Sequence, residues 1–176
     1  MNIYLVGYRC TGKSSVGKIL ASKLGMKFTD ADTELVKRAK KSISEIVETW
    51  GWDEFRRIEK NIIRELSALE KHVVATGGGA VIDGDNVKHM KKSGIIVWLR
   101  ATPFTIRERI KKDHGTKDLR PALSVKGTID EIDELLPVRN RFYEEAMNYY
   151  VDTDYVDINN VCRDIIKIIE TAKEKL

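Results

Sequence analysis

The segment GYRCTGKS at residues 7–14 restricts the possible folds of this 176-residue chain more than any other feature. It has the pattern G-x-x-x-x-G-K-[ST], it follows the apolar run IYLV, and it precedes the helix-like run VGKILASKL. A strand, a glycine loop and a helix in this order bring backbone N–H groups and a helix N-terminus to one point, where they bind phosphate. The sequence therefore predicts a phosphate-binding loop. A tight strand-to-helix turn with an incidental Lys-Ser pair is the alternative.

Composition limits the class of protein. A chain of this length with 42% hydrophobic residues suffices for one well-cored domain and is short for two. Although 33% of the residues are charged, the net charge is only +4, which favours small anions over nucleic acid as partners. The two cysteines, Cys10 inside the glycine loop and Cys162, indicate a reducing cytoplasm and not a structural disulfide. No secretory leader and no apolar run of membrane-spanning length is apparent, so we expect neither export by that route nor a membrane protein.

Short apolar runs alternate with longer segments of helical periodicity. We predict strands at 3–6, 27–29, 72–75, 95–99 and 149–151. The connections are too long for hairpins, which indicates parallel strands with crossovers in an α/β sandwich. We predict helices at 13–24, 32–40, 43–49, 53–70, 85–92, 103–111, 128–143 or a little beyond, and 159–173. The polar stretch 111–127 carries Gly and Pro and is typical of a mobile surface segment.

Polar side chains near the loop have defined chemistry. Lys13 would reach the β and γ phosphates of a nucleotide, and the Ser14 hydroxyl would bind Mg²⁺. Asp30 and Asp32 follow the second strand, at the sheet edge where ligands gather, so one carboxylate can face the metal and the other a substrate hydroxyl. Alternatively, Asp32 or Thr33 only caps the next helix. Cys10 is either a reactive thiol or a small filler residue.

Two arginines are candidate anion ligands. On the helix at 53–70, Arg56 and Glu59 lie three residues apart beside the apolar stripe, as a surface ion pair or as part of an anion site. On the helix predicted to begin at residue 128, Arg139 falls on the apolar face and Arg141 points away from it. An inward guanidinium needs a partner, which is either a protein carboxylate or a bound anion.

Two further segments are candidates for contacts with substrate. The run TGGGA places Gly77, Gly78 and Gly79 after a strand, where the missing side chains allow close approach to the backbone. A purely structural turn is the alternative. In the polar segment, Arg120-Pro121 precedes Ala122-Leu123, which indicates a flap that brings an arginine to the phosphates and excludes water. A flexible loop without a catalytic part is again the alternative.

Taken together, these motifs resemble shikimate kinase, a member of the nucleoside monophosphate kinase group of P-loop proteins, over residues 2–172. The resemblance implies a five-stranded parallel sheet of order 2-3-1-4-5, with a helical substrate-binding insertion at about 32–61 and a lid at about 112–125 in one domain. This sequence departs from the family at two positions: the family often has glycine where Cys10 stands and proline where Arg141 stands.

The resemblance also implies roles for residues. ATP would be bound by Gly7, Cys10, Thr11, Gly12, Lys13, Ser14, Ser15, Arg109 and Arg120. Shikimate would be bound by Asp32, Arg56, Glu59, Gly77, Gly78, Gly79 and Arg139. Mg²⁺ would be held by Ser14 and Asp30, and catalysis would use Lys13, Asp32 and Arg120.

The function implied is ATP-dependent phosphorylation of the 3-hydroxyl of shikimate in aromatic amino acid biosynthesis, by a cytoplasmic monomer with no nucleic acid or membrane partner. One rival is a kinase for another small acceptor, such as gluconate or a nucleoside monophosphate. The other is a P-loop nucleotide-binding regulator without catalysis, although the sequence contains no N-K-x-D or D-x-x-G element.

Overall fold

The computed structural model describes residues 1–113, 129 and 131–173. Its strands form one parallel sheet of order β2-β3-β1-β4-β5. The strands are β1 (Asn2–Val6), β2 (Lys27–Asp30), β3 (His72–Ala75), β4 (Gly94–Arg100) and β5 (Tyr149–Asp152). The predicted strands, the α/β sandwich and the strand order are all confirmed.

The helices follow the predicted periodicity closely. They are α1 (Lys13–Leu24), α2 (Ala31–Ala39), α3 (Ile43–Ser67), α4 (Gly84–Ser93), α5 (Pro103–Lys112), α6 (Ile132–Ala146) and α7 (Ile158–Lys173). The two helices predicted at 43–49 and 53–70 are one element that bends at Gly51, where φ is 81° and ψ is 171°. The start predicted at residue 128 lies outside the described residues. Helix α6 continues through Pro137.

Apolar side chains cover both faces of the sheet. On one face, β1 and β4 pack against α1 and α7 through a core that includes Leu5, Leu20 and Ile165. On the other face, the core includes Tyr4, Ile62 and Tyr143 and joins the sheet to α3 and α6. Strand β1 is buried along its whole length. Burial on both faces explains why the strands read as continuous apolar runs.

The main differences between the predicted and the observed helices lie at the helix ends. The Ser42 side chain and Glu45 form a reciprocal capping box that fixes the start of α3. Helix α3 ends at Ser67 and not at residue 70 as predicted, and Leu69, beyond its end, is 44% exposed. Within the described residues, no helix is long and apolar enough to cross a membrane.

The topology places two loops side by side. Strand β1 pairs with β3 on one side and with β4 on the other. The loops that follow β1 and β3 therefore leave the same edge of the sheet as neighbours. In open α/β sheets, ligands bind at this carboxyl edge, where the strand order reverses.

Candidate active site

The glycine loop after β1 surrounds the N-terminus of α1. Gly7 and Gly12 have φ angles of 142° and 95°, which favour glycine. A Cβ on Gly7 would also lie 2.5 Å from Leu99 O. Thr11 Oγ1 fastens the turn by donating to Tyr8 O at 2.9 Å. The loop therefore has the backbone path that a phosphate site requires.

Lys13 begins α1 and folds back over this loop. Its Nζ donates to Gly7 O at 2.8 Å and to Tyr8 O at 2.7 Å, and the residue is only 8% exposed. The ammonium group is thus held at the loop backbone, next to the helix N-terminus. An exchange of these carbonyl contacts for phosphate oxygens would need little movement of the chain. Ser15, one residue beyond Ser14, is exposed.

Ser14 and Asp30 form a pair of oxygen donors between α1 and β2. Ser14 Oγ donates to Asp30 Oδ2 at 2.5 Å. The other carboxylate oxygen, Oδ1, accepts from Thr33 N at 3.1 Å and caps α2. The alternative that Asp32 or Thr33 caps this helix is therefore wrong, because Asp30 does so. Asp32 lines the cavity described below.

A second cleft lies beside the loop and contains Arg109. Its Nη1 donates to Cys10 O at 3.3 Å, and its Nη2 donates to Thr153 O at 2.5 Å. Arg109 thus joins the glycine loop to the segment that follows β5. The cleft is lined by Cys10, Thr11, Gly12, Ser15, Val16, Arg109, Asp113, Thr153, Val156, Ile158 and Val161. Cys10 itself has φ of 60°, an uncommon value for a residue with a Cβ.

A deeper cavity, called here the arginine cavity, lies between the glycine loop, α3 and α6. It encloses about 560 Å³ of empty space, a volume that includes open solvent at its mouth. Its lining comprises Tyr8, Arg9, Lys13, Asp32, Ile43, Trp52, Phe55, Arg56, Glu59, Gly77, Gly78, Gly79 and Arg139. The structure therefore brings every predicted acceptor residue to one cavity, with Lys13 at its border. Arg120 lies outside the described residues.

Arg56 and Glu59 are paired inside this cavity, on the same flank of α3. Arg56 Nη1 donates to Glu59 Oε2 at 2.5 Å. Glu59 is 3% exposed, and its Oε1 has no hydrogen-bond partner among the described residues. Burial raises the pKa of the Glu59 carboxyl above its ordinary value, against the opposing effect of Arg56. Arg57, the next residue along the helix, is exposed and pairs with Glu54.

Arg139 enters the cavity from α6, as its position on the apolar face predicts. Its Nη1 lies 3.4 Å from Gly78 O, which also accepts a 2.5 Å hydrogen bond from the Tyr143 hydroxyl. Among the described residues, no carboxylate forms a salt bridge with Arg139. Burial lowers the pKa of this guanidinium from its ordinary value, because its charged form lacks full compensation. An anion bound in the cavity would supply that compensation.

The glycine turn after β3 leaves room for these side chains. A Cβ on Gly77 would lie 2.6 Å from Glu59 Oε1 and 2.8 Å from Asp32 Oδ1. A Cβ on Gly79 would contact guanidinium nitrogens of both Arg56 and Arg139. We expected glycine here so that a ligand could approach the backbone. The structure gives a more immediate reason for glycine: the charged side chains of the site itself occupy the space that a Cβ would take.

Tyr8, Arg9 and Trp52, which line the cavity, and Tyr143, which binds the glycine turn, were not predicted from the sequence as site residues. A signal for Tyr8 was present, because the alternation of β1 places it on the face of Tyr4 and Val6. Nothing comparable marks Arg9, which lies 3.5 Å from the buried carboxylate of Glu131. Tyr143 is buried on the inner face of α6, and its hydrogen bond to the glycine turn depends on the tertiary fold.

Comparison with known proteins places this geometry in a family. The shikimate kinase family model matches residues 9–170. A shikimate kinase of Thermodesulfovibrio yellowstonii is 40% identical over 96% of this chain and 95% of that protein. One of Caldanaerobacter subterraneus subsp. tengcongensis is 40% identical over 94% of both chains. The solved structure of a shikimate kinase from Acinetobacter baumannii, in complex with shikimate, has a TM-score of 0.90 and 32% identity over 98% of this chain and 94% of that one.

Proposed function

Because this chain belongs to the shikimate kinase family, we propose that it transfers the γ-phosphoryl group of ATP to the 3-hydroxyl of shikimate and releases ADP. The single observation that carries the proposal is the arginine cavity, which opens beside the glycine loop and presents two guanidinium groups from separate helices. Such a cavity suits a small hydroxy-acid whose hydroxyl faces the phosphates.

Shikimate binds through its carboxylate in this proposal. Arg56 and Arg139 donate to the carboxylate oxygens, since guanidinium groups match carboxylates in geometry and charge. Glu59 holds Arg56 in place from the buried side. Gly77, Gly78 and Gly79 leave room for this arrangement and offer backbone N–H groups to the acid. The helical insertion at about 32–61 supplies Asp32, Arg56 and Glu59 to the site.

ATP binds on the other side of the glycine loop. The phosphates lie on the backbone of Gly7, Cys10, Thr11 and Gly12, with Lys13, Ser14 and Ser15 at the start of α1. The base extends toward the second cleft and Arg109, which joins the loop to the segment after β5. Arg120, in the lid predicted at about 112–125, reaches the phosphates on closure and helps to exclude water.

In the chemical step, the 3-hydroxyl oxygen forms a bond to the γ-phosphorus while the bond from that phosphorus to the ADP oxygen breaks. Asp32 lines the cavity at the glycine turn and receives or orients the hydroxyl proton. Lys13 stabilises the negative charge that develops on the transferred group. Most of the rate enhancement comes from positioning and charge stabilisation, as expected for phosphoryl transfer.

The residues present fit a magnesium ion. Ser14 at the start of α1 and Asp30 at the end of β2 place two hard oxygen donors side by side, and nucleotide phosphates and water would supply the remaining ligands that such an ion prefers. Magnesium bound there with ATP would neutralise phosphate charge. The described residues hold no cluster of three or more His, Cys, Asp or Glu side chains with metal-site geometry. The monomeric state and the cytoplasmic location remain predictions.

A coupled assay of ADP release tests the proposed function. The wild-type protein is supplied with ATP and Mg²⁺, and shikimate, gluconate and nucleoside monophosphates are offered in parallel. Stimulation by shikimate alone is the expected result. If gluconate or a nucleoside monophosphate stimulates ADP release and shikimate does not, that acceptor is the substrate. If none of them stimulates ADP release, the result favours a nucleotide-binding regulator.

A further inference from the structure

Tyr8 carries a hydroxyl group that the fold does not use. The residue is 2% exposed, and its phenolic oxygen has no hydrogen-bond partner among the described residues. Its backbone carbonyl, in contrast, accepts from Thr11 Oγ1 and Lys13 Nζ. Buried polar groups in native proteins are nearly always paired, so an unpaired hydroxyl calls for an explanation. Phenylalanine would fill the same apolar space without leaving an unpaired oxygen.

The position of Tyr8 suggests what pairs with this hydroxyl. The side chain lines the arginine cavity together with Arg139. Arg139 acts electrostatically on its hydroxyl, as do Arg9, Glu131 and Cys10. Gly78 O, near Arg139 Nη1 at 3.4 Å, accepts the hydrogen bond of the Tyr143 hydroxyl. The unpaired oxygen of Tyr8 therefore belongs to a residue that shares one cavity with both Arg56 and Arg139.

We infer that the Tyr8 hydroxyl is a third ligand of the acceptor's carboxylate, beside Arg56 and Arg139. This inference rests on the proposed function and adds a specificity-determining residue to it. An ionised carboxylate accepts up to about four hydrogen bonds, so two guanidinium groups leave room for a neutral donor. Burial raises the pKa of the Tyr8 hydroxyl above its ordinary value, so it keeps its proton and acts as a donor.

The chain contains a matched control. Tyr4 lies on the same face of the sheet, but its hydroxyl is paired with Ser93 Oγ at 2.6 Å, Ser67 Oγ at 3.2 Å and Asn2 Nδ2 at 3.2 Å. Tyr4 does not line the arginine cavity. The same Tyr→Phe change therefore removes a structural hydroxyl at one position and a ligand-binding hydroxyl at the other.

The test measures KM for shikimate, KM for ATP, kcat and thermal stability for wild type, Tyr8→Phe and Tyr4→Phe. We expect Tyr8→Phe to raise KM for shikimate about tenfold and to leave KM for ATP unchanged. A tenfold change corresponds to the free energy of about one hydrogen bond to a charged group. Its Tm without ligand stays equal to that of wild type or rises, and the increase in Tm on adding shikimate shrinks. Tyr4→Phe should lower Tm without ligand and leave both KM values unchanged.

The outcomes separate this inference from the proposed function. If wild type is not stimulated by shikimate, the proposed function fails before any variant is compared. If wild type phosphorylates shikimate but Tyr8→Phe has the same KM for it, the Tyr8 inference is wrong and the function stands. A Tyr8→Phe protein that loses stability or does not fold would assign the hydroxyl a structural role and would also overturn the inference.

Discussion

Arg56 on α3 and Arg139 on α6 reach the same point of the glycine turn. A Cβ on Gly79 would lie 2.7 Å from Arg139 Nη1 and would contact Arg56 Nη2 more closely still. Burial lowers the pKa of Arg139, and the positive charge of Arg56 lowers it further. Like charges held this close favour an anion between them. The predictions below follow from this relationship and from the glycine loop beside it.

Gly79→Ala should block the approach of both arginines. Because the added methyl would collide with guanidinium nitrogens, we expect KM for shikimate to rise about tenfold or more, the equivalent of at least one lost charged hydrogen bond. Gly84→Ala is the matched control, since a Cβ there meets nothing within 4 Å. Steady-state kinetics with both variants make the comparison. Equal KM values for the two would contradict the crowding described at Gly79.

Arg139→Ala should separate acceptor binding from nucleotide binding. Loss of a charge-assisted contact predicts a rise in KM for shikimate of up to about 100-fold, with KM for ATP largely kept. Removal of a partly buried charge that has no carboxylate partner in the described part of the chain should not lower Tm. Arg141→Ala is the control, because Arg141 is exposed two residues further along α6. Comparable losses of shikimate and ATP affinity, together with a lower Tm, would identify Arg139 as a structural residue.

Glu59→Gln should change the pH dependence of stability. The pKa of Glu59 is raised in the folded state, so its contribution to stability is fully present below its ordinary pKa and is lost as pH rises through the folded value. Glutamine does not ionise. The free energy of unfolding of Glu59→Gln relative to wild type should therefore increase from about pH 4.5 to pH 8, by about 1.4 kcal/mol for each unit by which the pKa is raised. Denaturant titrations across this range test the trend, and a constant or falling difference would show that Arg56 outweighs burial.

Cys10 is held in a left-handed conformation, with φ of 60°. A residue with a Cβ loses about 1–2 kcal/mol there, and a β-branched residue fits worst. We expect Cys10→Gly to be at least as stable as wild type and Cys10→Val to be less stable by about 1–2 kcal/mol. Thermal unfolding of the three proteins provides the measurement. A more stable valine variant would mean that the loop adopts a different backbone path.

Ser14→Ala should weaken the use of magnesium. The variant removes the hydroxyl that donates to Asp30 at 2.5 Å, and with it one of two oxygen donors at the predicted metal position. The Mg²⁺ concentration for half-maximal activity should rise severalfold, with KM for shikimate little changed. Ser22→Ala, an exposed position on the same helix, serves as the control. An unchanged Mg²⁺ requirement would place the ion elsewhere.

Much of this fold could be predicted from the sequence because local and tertiary signals agree in it. Buried parallel strands read as apolar runs, and the glycine loop fixes one strand-to-helix junction. Helical periodicity was also enough to place Arg139 on an inner face and Arg56 beside Glu59. Each of these inferences uses spacing along one element, which the sequence contains directly.

The errors concern contacts between elements. The cap of α2 is Asp30 and not Asp32 or Thr33, because the hydroxyl of Ser14 on another helix orients it. The reason for glycine at Gly79 is the meeting of α3 and α6, which no local pattern records. Tyr8 occupies a position for which the loop motif specifies no residue type. Such features depend on which side chains the sheet order brings together.

A crystal structure with shikimate and ADP bound is the decisive test of the arginine cavity. The shikimate carboxylate should lie between Arg56 and Arg139, with the 3-hydroxyl directed toward Asp32 and the glycine loop. A structure in which protein carboxylates bind both guanidinium groups, and shikimate is absent from the arginine cavity or lies there with its carboxylate directed elsewhere, would contradict it.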